Sequence, residues 1–143
     1  MKKYLVLLTF AVLISSDCWA CSFPEKTREE MFDDAERVFI GRIISTQLKT
    51  EIIENETLDV VNATYQLVES FKGENPQIGI VKEIPFSPGN CMLGLLTGLE
   101  YVIYLEDHHF VTLPSGSWGY FNAEAKDVKE ELNKLRDISN SGT

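Results

Sequence analysis

A cysteine at the start of a mature chain carries three metal-binding groups in one residue: a free α-amine, a carbonyl and a thiol. Cys21 is placed for that role. Lys2 and Lys3 open the chain with positive charge, Tyr4 to Ile14 is an apolar run, and Cys18-Trp19-Ala20 puts small residues at the third-last and last positions before a cut. These are the three parts of a secretory signal peptide over residues 1–20, with processing expected between Ala20 and Cys21. The run is too short to span a bilayer as a mature helix, so no stable membrane insertion is expected after cleavage. Lipidation is the weaker alternative, because the residues before Cys18 and before Cys21 are both poor contexts for it. The short Met-Lys-Lys leader looks bacterial, and the expected location is secreted or periplasmic. With its thiol held in a disulfide, Cys21 would present amine and carbonyl rigidly enough to chelate a metal ion.

Cleavage leaves Cys21 and Cys91 as the only cysteines. In an oxidising compartment, two cysteines most simply form one disulfide. The loop it closes, about 70 residues, is valued at about 4 kcal/mol by the chain-entropy account. A zinc site built from these two residues alone lacks the four closely spaced ligands that structural zinc requires. No resident cofactor is implied.

Other chemistry-bearing residues read more plainly. Glu106, Asp107, His108 and His109 are consecutive, and neighbours in a strand point to opposite faces, so a solvated turn is expected rather than a metal site. Asp33, Asp34 and Glu36 lack the alternating acidic ligands of a calcium loop and read as a solvated helix face. Tyr65, Tyr101, Tyr104, Phe110, Trp118, Tyr120 and Phe121 could stack sugars or bases. Several fall on strand positions and read as core, with Trp118, Tyr120 and Phe121 covering one end of the fold. Asn55-Glu56-Thr57 and Asn62-Ala63-Thr64 match the glycosylation sequon, which matters only in a eukaryotic secretory pathway. There is no His-Glu-x-x-His, no Gly-x-Ser-x-Gly and no phosphate loop, so the chain reads as a non-enzyme.

Removing residues 1–20 leaves 123 of the 143 residues, the size of one domain. The full chain has 13 basic and 22 acidic residues; losing Lys2, Lys3 and Asp17 leaves 11 and 21, a mature net charge of −10. So acidic a domain has no electrostatic footprint for nucleic acid or anionic membrane.

The elements that position these residues follow from capping and periodicity. Thr27-Arg28-Glu29-Glu30 is a capping box, and Met31, Phe32 and Ala35 share one face of a short helix over 28–36. Val38 to Leu48 reads as a long strand with a bulge or bend at Gly41. Residues 49–58 are polar and acidic and read as a hairpin loop or its frayed tips. Val60 to Phe71, Ile78 to Phe86, Leu99 to Leu105 and His109 to Leu113 are the remaining strands. Pro114 to Gly119 reads as a loop. Asn122 can cap a closing helix over roughly 123–138, with Val128, Leu132, Leu135 and Ile138 as its apolar stripe. Five short strands with a helix at each end predict a mainly β fold, a closed five-stranded barrel of the OB type.

In order and spacing the mature chain resembles the netrin-like domain of the tissue inhibitors of metalloproteinases (TIMPs), in its short bacterial form. The features that carry the likeness are Cys21 as the mature N-terminus, Ala35 to Ile43 (AERVFIGRI), Tyr65 to Gly73 (YQLVESFKG), Cys91 to Tyr104 (CMLGLLTGLEYVIY) and the final amphipathic helix. The spacing of Cys21 and Cys91 resembles the family's N-terminal disulfide. Phe23 stands where the family usually has a second cysteine. That cysteine's partner would fall near Ser115-Gly116-Ser117, so both halves of a second disulfide are missing together. No counterpart of the animal inhibitors' C-terminal domain is expected.

The resemblance implies a metalloprotease inhibitor. The Cys21 amine and carbonyl would chelate the zinc of a partner protease, and Ser22 would point into its specificity pocket. Gly89, Asn90 and Cys91 would form the second part of the contact ridge. Beside this stands a plainer reading, a bridge that merely staples the N-terminus to the barrel of a non-inhibitory periplasmic interaction domain. A third reading, an oligosaccharide or nucleotide binder on the barrel face, is the weakest given the acidic charge.

Overall fold

The computed structural model describes residues 25–53, 55–87, 90–106 and 110–142. The expected signal peptide, Cys21 and Ser22 lie outside these residues, as do Gly89, Asp107, His108 and His109. The Thr27 capping box forms: Thr27 Oγ1 accepts the Glu30 N–H at 3.2 Å, and Glu30 Oε2 accepts the Thr27 N–H at 2.7 Å. It opens helix α1 (Arg28–Asp34). Lys72 closes the other end by donating to the Phe32 and Asp33 carbonyls at 2.8 and 2.9 Å, where a cation suits the helix dipole.

Strands β1 (Arg37–Ile53) and β2 (Glu56–Lys72) form a long antiparallel hairpin. Residues 49–53 and 56–58, within the stretch expected as a hairpin loop or its frayed tips, are the paired outer arms of this hairpin. Ile53 pairs with Glu56, and Asn55 at φ +71° supplies the left-handed conformation that a two-residue turn needs. The arms are polar because they are exposed. Cross-strand bonds hold them: Thr50 to Asp59 at 2.8 Å and Asn62 to Glu51 at 3.0 Å, with Lys82 on Glu51 at 2.6 Å. The bend expected at Gly41 is present as a register shift between Ile40 and Gly41.

With β3 (Ile78–Glu83), β4 (Glu100–Leu105) and β5 (Trp118–Tyr120), the sheet runs β3-β2-β1-β4-β5, antiparallel throughout. It is open, so the expected closed barrel is not formed. The fifth strand expected over 109–113 is reduced, among the described residues, to one parallel bridge between Lys82 and Phe110. Its continuation turns away: Ser115 Oγ donates to the Thr112 carbonyl at 2.7 Å, and Gly116 N–H to the Leu113 carbonyl at 3.0 Å. This turn, with Pro114 inside it, ends the segment before a ladder can grow. The actual β5 falls at the end of the segment read as a loop. Its entry is fixed by Ser117, whose buried hydroxyl accepts from Tyr104 N–H at 2.9 Å.

Each face of the sheet carries a core. Phe39, Ile43, Ala63, Tyr65, Val81, Tyr101, Ile103 and Leu105 cluster on one side. On the other, Val38, Ile40, Val102, Tyr104 and Tyr120 meet α1 and the closing helix α2 (Lys126–Ser141). The predicted stripe of α2 faces that cluster with Leu132 and Leu135 buried. Arg136 secures it with a two-pronged contact to Glu69 at 2.9 and 2.7 Å. Asn122 does not cap α2: the N-cap is Ala125, and the Asn122 side chain accepts from Glu124 N–H at 2.9 Å in the preceding turn.

Both edge strands admit a tyrosine over a glycine. Tyr65 lies opposite Gly79 and Tyr101 opposite Gly119. A Cβ on Gly79 would stand 2.5 Å from Tyr65 Oη, and one on Gly119 2.6 Å from Tyr101 Cε1. Gly79→Ala is therefore expected to destabilise the domain by about 1–3 kcal/mol through overpacking. An unchanged denaturation midpoint would show that the Tyr65 ring yields freely.

Candidate functional site

Of the predicted contact residues, Asn90 and Cys91 fall among the described ones. Both lie in the connection from β3 to β4. Cys91 is disulfide-bonded, and no other cysteine lies among the described residues. Its φ of +54° is in the left-handed region, which a non-glycine residue adopts only when its surroundings impose it. Asn90 stabilises the approach: its side chain donates to the Pro85 carbonyl at 2.7 Å and its N–H to the Ser87 carbonyl at 3.1 Å. The Cys91 carbonyl accepts the Leu113 N–H at 3.3 Å.

The root of this connection is held by a residue the sequence reading passed over. Glu83, at the end of β3, is 1 % exposed. Its Oε1 accepts the Leu95 N–H at 2.5 Å and its Oε2 the Gly94 N–H at 3.1 Å. Gly94 sits at φ +70°, which turns successive N–H groups toward one point. Burial pushes the Glu83 carboxyl up, and the N–H groups of Leu95, Gly94 and Leu93 pull it back toward the charged form. Tyr101 adds a second clamp, accepting from Leu96 N–H at 2.9 Å and donating to the Gly94 carbonyl at 3.1 Å. The signal for Glu83 was present in the strand alternation, where residues 79, 81 and 83 share the core-facing side.

The remaining candidates are dispersed. Asp34 is paired with Lys26 at 2.7 Å. Among the described residues, no three His, Cys, Asp or Glu side chains are grouped to hold a metal ion, and no helix is long and apolar enough to cross a membrane. Tyr65, Tyr101, Tyr104 and Tyr120 are buried, as expected of core residues. Phe121 is not a cover for the fold's end: it is 89 % exposed. Beside the Cys91 connection, Leu93, Leu96, Leu113, Trp118 and Phe121 line a shallow apolar groove.

No family model matches the chain, and no curated protein is significantly similar to it.

Glu83→Ala leaves the 93–95 N–H groups without their acceptor and is expected to cost about 2–3 kcal/mol. The pH dependence has a definite sign. A carboxyl raised on folding contributes stability that is full below its ordinary value of 4.5 and is lost as pH climbs through the raised value. The stability of the native protein minus that of Glu83→Gln should therefore fall as pH rises from about 4 toward neutrality. A flat or rising difference in chemical denaturation series would contradict this environment for Glu83.

Proposed function

We propose that this chain is an exported, TIMP-like binding domain that engages a protein partner through the edge carrying Cys91, without catalysis of its own. The observation that carries this reading is the disulfide-bonded Cys91, at a connection whose root Glu83 and Tyr101 fix. Paired with Cys91, Cys21 would sit as the mature N-terminus beside Asn90 and Gly89. Its neutral amine and its carbonyl could then displace the water on a metalloprotease's catalytic zinc, with Ser22 entering the adjoining pocket. A bridge that fixes those groups in advance lowers the ordering cost of binding. The location that follows is secreted or periplasmic.

A second reading keeps the edge and drops the chelation. The apolar groove of Leu93, Leu96, Leu113 and Phe121 favours it, because it offers a partner contact area that needs no free amine. This is the non-inhibitory interaction domain.

One comparison separates the two. The full chain is exported with its own leader, and its intact mass should show a start at Cys21, no lipid and no free thiol. This form is then assayed against secreted zinc proteases beside a variant with one alanine inserted before Cys21. Inhibition by the native form alone supports chelation. Equal activity of both, or none from either, leaves the interaction domain. A lipidated start or two titratable thiols removes the proposed edge itself.

A further inference from the structure

Three residues lie side by side across three strands: Arg42 of β1 opposite Glu100 of β4, and Glu100 opposite Tyr120 of β5. Arg42 Nε and Nη2 both donate to Glu100 Oε1, at 3.1 and 2.5 Å, and Tyr120 Oη donates to Glu100 Oε2 at 2.9 Å. Burial and the facing Glu100 carboxylate push the Tyr120 phenol up, so it remains a donor. The Arg42 side chain is 54 % exposed, and its bonds to Glu100 use only Nε and Nη2. These groups wall a cavity of about 370 Å³, whose lining also includes Gly98, Asn122 and the exposed ring of Phe121.

We propose that this cavity binds a neutral saccharide, with a sugar ring stacked on Phe121 and its hydroxyls bonded to the Arg42–Glu100 pair. A sugar has an apolar C–H face and a rim of groups that both donate and accept. The cavity has a matching division: one fully presented aromatic face, and beside it a carboxylate that accepts and a guanidinium that donates. Because Glu100 already offsets the charge of Arg42, the wall attracts no anion. The chain's net charge of −9 opposes phosphate-bearing ligands further, which disfavours nucleotides despite the stacking ring. At about 370 Å³ the site lies at the small end of the range for small-molecule cavities, suited to one or two sugar units rather than to a protein surface. The network is already assembled, so binding need not organise it.

The test uses the isotope-labelled exported protein titrated with cellotetraose, chitotetraose and maltotetraose, read by amide chemical shifts. At least one probe should bind saturably with a Kd of about 1 mM or below. The shifts should centre on Gly98–Glu100 and Phe121–Ala123. Phe121→Ala removes an exposed ring, so the fold is expected to persist while affinity falls about tenfold or more. Phe121→Trp should restore binding. Absence of saturable binding to all three probes, or binding that Phe121→Ala leaves unchanged, overturns the proposal. So would shifts centred on the Leu93–Leu96 groove, which would instead mark Phe121 as part of a protein-docking surface.

Discussion

The buried carboxylate of Glu83 is the constraint on which the placement of the Cys91 edge depends. A charge removed from water is tolerated only when dedicated partners replace its hydration. Here the partners are consecutive main-chain N–H groups at Gly94 and Leu95, gathered by the left-handed turn at Gly94. The carboxylate is fixed in the end of β3, so the loop must come to it. Tyr101 acts likewise from β4, with its hydroxyl between Leu96 N–H and the Gly94 carbonyl. A segment with little regular structure is thus held by two side chains rooted in the sheet.

The sheet can supply these anchors because its central strands are covered on both faces. In β4, Tyr101, Ile103 and Leu105 enter one cluster while Val102 and Tyr104 enter the other. That two-sided burial is why Tyr101 to Leu105 reads as an unbroken apolar run rather than an alternating one. At the edges the constraint reverses. Gly79 and Gly119 lack side chains so that Tyr65 and Tyr101 can lie across them, and the rings protect backbone that glycine leaves bare.

Features written in short-range chemistry were legible in the sequence. The Thr27 capping box, the α2 stripe and the β4 run each depend on neighbours a few residues away. What was not legible depended on distant partners. Residues 49–58 are polar because the arms of the hairpin are exposed, and hydropathy cannot distinguish such a strand from a loop. The three residues of β5 become a strand only because Ser117 and Gly119 meet Tyr104 and Tyr101. Among the described residues, the strand expected over 109–113 gives way to a turn at Leu113–Gly116, and the sheet stays open. Within the candidate site, Cys91 was conspicuous by residue type, whereas Glu83 was one acid among 22. Its role is set by Gly94 and Leu95, more than ten residues further along the chain.

The Cys91 edge and the Arg42–Glu100 cavity are two ends of one segment. Residues 91–99 begin at the disulfide, pass the Glu83 and Tyr101 clamps, and end where Gly98 N–H donates to the Ile43 carbonyl at 2.7 Å and Ile43 N–H to the Leu99 carbonyl at 2.9 Å. These contacts at its start, middle and end hold the segment in one arrangement. Coupling between sites requires an element with two arrangements whose balance both ligands bias. If both ends bind as proposed, occupancy at one is expected to leave affinity at the other unchanged while Glu83 keeps its contacts. Loosening the Glu83 cradle would free the middle of the segment and give both ends a shared conformational cost.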